Sequence, residues 1–509
     1  MRALISLLLI PASALAGPVV SPEPNAVSVT LYRDPNRSEG AIDPNNPGGY
    51  ALITETRTIT IPAGESVIRF EGVSEGMFPE TAIVTGLPNG VREKNRDARL
   101  ISPAGLVDAY LSRNVHLRRT SRATGKVVEQ DAILRAGPNG GVVLQTSEGI
   151  EALGCAGLPE RMLYDGIPEG LSAKPTLSVL TTSERAVTAT VQLSYLAQGF
   201  DWSANYVANV AADGKTLNLF AWATIANGGA QSFVGANTQA VAGQPNKEDN
   251  ADPPQDAPPE LRLQCWPQDI TSTHDIWGNI RTSADFERLP APMMAMSSEI
   301  VVTAQKRMES LQDVAVAITA VQEELGDLKL YRIPEPVTIA AQSQKQVAMI
   351  QKVGVKYERI YAESLSANAL TSQPMAFLLR MKNEKADGLG LPLPAGGVVI
   401  FENADGQTLL AGEDNVADHA IGDDVEFAVG ESPDVRYEVT ELKRTGRTAS
   451  FRVTVTNARD NPITSEIQIP FELSKKPSGL KRKNGGWMWR QSVPPNGQSV
   501  LEFATKQAR

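Results

Sequence analysis

Polar and apolar residues alternate along most of this chain with a period of two, the pattern of half-buried β-strands. From Tyr50 to Phe70, "YALITETRTITIPAGESVIRF" places Thr54, Thr56, Thr58 and Thr60 on one face and Ile53, Ile59 and Ile61 on the other. The turn "PAGE" leads into a second strand, Ser66 to Phe70, and the pair reads as a hairpin at the edge of a β-sandwich. In "AVTATVQLSY", Val187, Ala189, Val191, Leu193 and Tyr195 again share a face. Just downstream, Asp213-Gly214 separates two apolar-rich runs in "YVANVAADGKTLNLFAWATIAN", the strongest hairpin signal in the chain. "ASFRVTVTNARDNPITSEIQIPFEL" repeats strand, polar turn and strand near the C-terminus. Helix is expected only in "GLVDAYLSRNVHL", after Pro103, and in part of a central segment. The expected fold class is mainly β, with two or more β-sandwich, immunoglobulin-like domains and a long central loop insertion.

A chain of 509 residues is long enough for several cores. The first 16 residues read as a secretory signal: Arg2, an apolar run from Leu4 to Ile10 broken only by Ser6, and "PASALA" with Ala14 and Ala16 at small-x-small spacing. Cleavage is expected before Gly17. The organisation that follows is an N-terminal β domain at 17–105, a mixed connecting region at 106–174, and a C-terminal β-rich domain at 175–509. The Pro/Asp-rich "GQPNKEDNADPPQDAPPE" and "ERLPAPMMAMSS" mark 243–326 as an interruption of that last domain, after which "LKLYRIPEPVTIAAQSQKQVAMI" resumes the alternation. No run of 18 apolar residues follows the signal, so no transmembrane span is expected, and the localisation read here is exported, periplasmic or outer-membrane-associated.

Composition narrows the partners. A net charge of −10 disfavours nucleic acid, because phosphate binding needs clustered Lys and Arg, and the basic run from Lys475-Lys476 to Lys481-Arg482-Lys483 reads as a solvated loop. Export places the two cysteines, Cys155 and Cys265, in an oxidising compartment where a disulfide between them is expected. Closing a loop of about 110 residues is worth roughly 4–5 kcal/mol in the chain-entropy model.

Candidate chemistry is sparse. His116, His274 and His419 are widely spaced, no HExxH or GxSxG occurs, and Ser478-Gly479-Leu480-Lys481 lacks the companion motifs of a penicillin-binding site. "DGKT", Asp213 to Thr216, has Asn209 where a phosphate loop needs glycine, so it reads as a turn. The acidic stretch around Glu413, Asp414, Asp418, His419, Asp423 and Asp424 lacks the EF-hand order and reads as turns between strands. No catalytic residue, metal site or cofactor is therefore assigned. Tyr195, Phe200, Trp202 and Tyr206 suit core packing on alternating strands, whereas Trp487 and Trp489 in "GGWMWR", at strand spacing and followed by Arg490, are candidate ligand-binding residues able to stack on sugar rings.

Two resemblances add to this reading. "LSYLAQGFDWSANYVANVAADGKTLNLFAWATIANGGAQSF", "LKLYRIPEPVTIAAQSQKQV" and "LPLPAGGVVIFENADGQTLLAGED" resemble the C-terminal conserved domain of an exported family that includes mucoidy inhibitor A-like proteins. The resemblance covers roughly 175–505, with 27–90 similar to that family's N-terminal β domain. It implies fold and location and brings no catalytic residues, and the long coiled coil of many relatives has no heptads here. Separately, "EIVVTAQKRMESLQDVAVAITA", Glu299 to Ala320, is similar to the TonB box and plug entrance of TonB-dependent receptors. That similarity implies a docking strand for TonB at Glu299, Ile300, Val301, Val302, Thr303 and Ala304, which would add to a sheet edge through its backbone. No plug or barrel strands follow it. The expected function is a non-catalytic cell-envelope binding or scaffold protein whose partners include TonB, another envelope protein or polysaccharide. The alternative is an exported hydrolase acting on envelope polysaccharide or protein, since glycosidase carboxylates often leave no local motif.

Overall fold

The computed structural model describes residues 18–37, 40–44, 46–97, 100–120, 124–136, 142–152, 160–168, 171–243, 245, 319–326, 328–365, 372–404, 406–446, 448–483 and 485–506. Among them the chain is predominantly β, in sheets of twelve, nine, five and four strands. The expected signal peptide, Cys155, Cys265, His274 and the TonB-box-like Glu299 to Ala304 lie outside the described residues. No described helix is long and apolar enough to cross a membrane.

Strand Gly49–Ile61 follows its alternation. Ile53, Ile59 and Ile61 are fully buried, while Thr58 and Thr60 face solvent. The hydroxyls of Thr54 and Thr60 lie 3.0 Å from those of Ser194 and Thr188 on the neighbouring strand. The next strand, Gly64–Glu71, does not return beside it. Gly49–Ile61 pairs with Ala26–Tyr32 and Val187–Val210 in the twelve-stranded sheet, whereas Gly64–Glu71 pairs with Val19–Val20 and Thr176–Ser183 in the four-stranded one. The hairpin expected from "PAGE" is therefore an arch between two sheets. Ile53 and Ile59 from one layer share a core with Ile68 and Phe70 from the other. Stacking buries both apolar faces against each other, which pairing within one sheet alone would not do.

Val187–Val210, 24 residues long, is the spine of the molecule. Its first half pairs with Gly49–Ile61 and its second half pairs antiparallel with Thr216–Asn227 and parallel with Gly396–Ala404. Gly199, with φ of +84°, carries the bulge where the strand changes partners. The Asp213-Gly214 hairpin forms as read, and Asp213 accepts hydrogen bonds from the amides of Lys215 and Thr216, so "DGKT" is a turn.

Residues 17–105 do not form a sheet of their own, because Ala26–Tyr32 and Gly49–Ile61 join strands from beyond residue 175. The region between does hold a separate core, with Val107, Leu117, Leu134 and Leu144 packed on a five-stranded sheet. The helix expected there is only Pro103–Ala109, capped by the Ser102 hydroxyl, and the following "NVHLRRT" is a strand. The interruption assigned to 243–326 ends earlier than expected. Val321–Leu325 is a strand paired with Leu328–Arg332, which in turn pairs with Phe233–Ala242.

The nine-stranded sheet is built from strands between Glu358 and Lys506, apart from Gly396–Ala404 and Gln407–Val416, which join the twelve-stranded sheet. "ASFRVTVTN" and "ITSEIQI" form strands Thr448–Asn457 and Ile463–Ile469, but these pair with different neighbours. Val453, Val455, Ile467, Ile469 and Phe503 fill one core between them. Strand Gln373–Lys382 shows how the sheet faces its surroundings. Met375, Leu379 and Met381 are buried, while the alternate Ala376, Arg380 and Lys382 line an open cleft on the other face.

Candidate functional site

The cleft lies where the outer face of the nine-stranded sheet meets the end of the twelve-stranded one. Strand alternation puts Arg380, Asp424, Glu426, Glu466 and Arg490 on this face, since each sits one position away from an inward apolar residue among Leu379, Val425, Phe427, Ile467 and Trp489, and Glu358 joins them as the cross-strand neighbour of Arg380. Cross-strand register then sets Arg380 opposite both Glu358 and Glu426, and Glu466 opposite Arg490. Opposite charges in such positions attract across the ladder.

The floor is one connected ion network. Arg380 donates to both carboxylate oxygens of Glu466, at 2.7 and 2.8 Å, and through Nε to Glu426 at 2.6 Å. Arg490 donates to Glu466 at 2.7 Å and to both oxygens of Glu358 at 2.6 Å. Lys483 Nζ stands 3.9 Å from Glu466. The Glu466 side chain is only 3% exposed, so burial disfavours its charge, yet the hydrogen bond and charge of Arg380, with Lys483 and Arg490, outweigh this and hold its carboxyl below the usual range. Burial likewise opposes the charge of Arg380, but Glu466 and Glu426 push its guanidinium up. Both groups keep their charges through the neutral range.

Two cavities of about 580 and 640 Å³ open over this floor and share Arg380, Asp424, Glu466, Lys483 and Met488. Their charges are opposed. In the first, seven cationic side chains face the four carboxylates of Glu358, Asp387, Asp424 and Glu466. In the second, Glu363, Asp423, Asp424, Glu426 and Glu466 surround Arg380, Lys483 and His419. The basic run read as a solvated loop is here a short strand, Leu480–Lys483, and Lys481, Arg482 and Lys483 all line the first cavity. Lys356 and Lys382 complete its basic wall, each also bonded to a carboxylate, Asp387 at 3.3 Å and Asp424 at 3.1 Å.

Trp487 and Trp489 part company at the edge of this site. Trp489 is buried in the C-terminal core, where its ring presents no face to a ligand. Trp487 is half-buried, and its ring lies beneath two cations: Lys476 Nζ is 4.9 Å and the Arg482 guanidinium 5.1 Å from its centroid. Its visible role is to hold Arg482. Tyr195, Phe200, Trp202 and Tyr206 are all core, as the alternation implies.

Of the remaining candidates, His419, Asp423 and Asp424 line the second cavity, while the others do not line it. Asp418 binds Arg33 at 2.5 Å and the amide of Ala395 at 2.8 Å, while Asp414 accepts from the amide of Ala428. Only part of the acidic stretch is a turn between strands, because Glu413 and Asp414 lie on strand Gln407–Val416 and Asp424 opens strand Asp424–Thr445; no group of three or more His, Cys, Asp or Glu among the described residues is placed to hold a metal ion. His116 bridges Asp131 at 2.7 Å and Asp165 at 2.9 Å, and those hydrogen bonds raise its imidazole pKa. Gly49–Ile61 also hides a pair that local pattern does not flag. Glu55 and Arg57 are buried on its apolar face, bonded to each other, with Tyr195 donating to Glu55 at 2.9 Å. No family model matches the chain, and no curated protein matches it.

Proposed function

We propose that this chain is an exported, non-catalytic cell-envelope binding protein that receives its ligand in the charged cleft of the nine-stranded sheet. One observation carries the reading. The Arg380–Glu466–Arg490 network is fixed by bidentate hydrogen bonds and stays ionised near neutrality, which suits recognition of a polar ligand by preset charges. A general acid or base works best with a pKa near the operating pH, and Glu466 is held away from it. The signal-like N-terminus and the resemblance to an exported family support the location. The shared core of the C-terminal strands supports an immunoglobulin-like sandwich as the scaffold behind the cleft.

The test has two arms. The full chain is expected in the periplasmic fraction, and a chain starting at Gly17 behind a new initiator Met in the cytoplasm. Mature protein titrated calorimetrically with purified envelope polysaccharide is expected to bind, and Met488→Trp, which places bulk between the two cavities, to abolish binding without lowering the melting temperature. Cytoplasmic retention of the full chain would overturn the location, and unimpaired binding by the variant would overturn the cleft.

Docking to TonB through Glu299 to Ala304 is a second reading, favoured by one observation. Strands Phe233–Ala242 and Leu328–Arg332 pair directly, so the segment between them leaves and rejoins a finished sheet. A partner-binding strand can be carried there without taking part in the core.

A further inference from the structure

The two cavities have opposite electrostatic character, and that asymmetry bears on what the cleft would hold. Elsewhere on the surface several arginines are matched with carboxylates, Arg92 with Glu65, Arg332 with Glu323, Arg444 with Glu441 and Arg452 with Glu502, while Arg135 and Arg436 bond the neutral Gln145 and Ser372. Lys481 and Arg482 also stand outside the carboxylate pairing. Among the described residues neither has a carboxylate partner, and Arg482 is instead held on the ring of Trp487. They line the very cavity in which cations already outnumber carboxylates, on a chain whose net charge is −10. Like charges gathered in a concave wall raise the local potential and are kept at a cost in self-repulsion, which an anionic ligand would relieve. Stacking on Trp487 also limits the side-chain freedom that Arg482 would otherwise lose on binding.

We infer that this basic lobe, walled by Lys356, Lys481 and Arg482, is the subsite for the acid group of an anionic saccharide, a sugar carrying carboxylate substituents. The inference rests on the binding reading above and specifies its ligand. The floor decides between polyanions. Glu358, Asp387 and Asp424 accept hydrogen bonds and donate none when ionised, so they suit the hydroxyl groups of a sugar ring placed beside its acid group. A nucleic acid, with a charge at every nucleotide, would run from the basic lobe over Glu363, Asp423 and Glu426 of the second cavity and be repelled there. A cavity of about 580 Å³ is within the size range of small-ligand sites.

The experiment titrates the mature protein with a short oligogalacturonate, with its neutral methyl ester and with oligothymidylate, each at low and high salt. The acid form is expected to bind, more weakly as salt rises, while the ester and the oligothymidylate bind at least about tenfold less tightly, a difference of one decade in Kd. Lys481→Gln with Arg482→Gln is expected to remove that preference at an unchanged melting temperature, and Arg482→Lys to retain part of it. Equal affinity for acid and ester, equal or tighter binding of oligothymidylate, unchanged acid affinity in the double variant, or no binding of the acid form would each overturn the inference. Met488→Trp separates this from the parent reading. Polysaccharide binding lost in Met488→Trp but indifferent to Lys481 and Arg482 leaves the cleft as the binding site and removes only its assignment to acid groups.

Discussion

Glu466 shows how a residue that looks ordinary in the chain becomes a keystone. In "ITSEIQI" it occupies a polar position of an alternating strand, where a solvated carboxylate is the natural expectation. Its partners Arg380 and Arg490 are 86 and 24 residues away, so no local window shows that two guanidinium groups close over it. The same limit applies to Trp487 and Trp489. Their shared face is legible from their spacing, but the burial of one and the cationic cover of the other depend on strands brought in from elsewhere. Glu466→Ala would leave Arg380 and Arg490 facing each other with only Glu426 and Glu358 to answer them. Breaking a buried pair by removing one partner costs about 3–5 kcal/mol, and a loss of that order is expected in urea unfolding. The wild-type contribution also has a pH signature. Because the folded state depresses the pKa of Glu466, its stabilisation is present above the unfolded carboxylate value and is lost as pH falls through the folded value. Stability plotted against pH should therefore drop less steeply on the acid side for Glu466→Gln than for wild type, and parallel curves would show that Glu466 is not the group responsible.

Strands were legible from alternation, whereas their pairing was legible only where a turn specified it. Asp213-Gly214 imposes a tight reversal, so Val187–Val210 and Thr216–Asn227 had to be neighbours. "PAGE" gives an equally strong break but no such reversal, and there the wish of two apolar faces to meet set the outcome, with Phe70 lying against Arg57 across the layers at 5.8 Å. The parallel pairing of Gly396–Ala404 with the spine strand was not legible at all, because nearly two hundred residues separate the partners and a parallel ladder carries no turn signal. Gly396 marks the closeness of that contact. A Cβ there would fall 1.8 Å from the carbonyl oxygen of Ala204, a backbone atom in the centre of a sheet that has no room to retreat. Gly396→Ala is expected to destabilise by at least about 2 kcal/mol through overpacking. Gly397→Ala, one residue on and with only side-chain atoms within ordinary contact distance, is the control and should unfold close to wild type. Equal midpoints for the two variants in denaturant would show that the strand pair can part enough to admit a methyl group.

At the scale of the whole molecule, Ala26–Tyr32 and Gly49–Ile61 belong to the same twelve-stranded sheet as strands from beyond residue 175, so the chain is interleaved. Interleaving makes the central excursion easier to interpret. Ala242 pairs with Lys329 and Val321 pairs with Arg332, so the two ends of the excursion lie two strands apart and three residues along. Two interstrand spacings of about 4.8 Å and three strand residues of about 3.3 Å give a gap of roughly 14 Å. A linker of about six residues, extended at ~3.3 Å each, spans it. Replacing 246–318 with such a Gly/Ser linker, with Cys155→Ser to avoid a lone thiol, is therefore expected to leave a folded protein with the wild-type β circular dichroism signature and cleft binding. The same replacement removes Glu299 to Ala304. If that segment is the TonB-docking strand its sequence resembles, calorimetric titration with the periplasmic domain of TonB should show binding for the mature wild type and none for the shortened chain. Val301→Pro, which deletes one backbone donor from the strand, should weaken that binding without touching the fold. Binding retained by the shortened chain would move the TonB contact to the sheets themselves. A shortened chain that failed to fold would mean the excursion supports the strands it interrupts, and the paired edges at Ala242 and Lys329 would then not be self-sufficient.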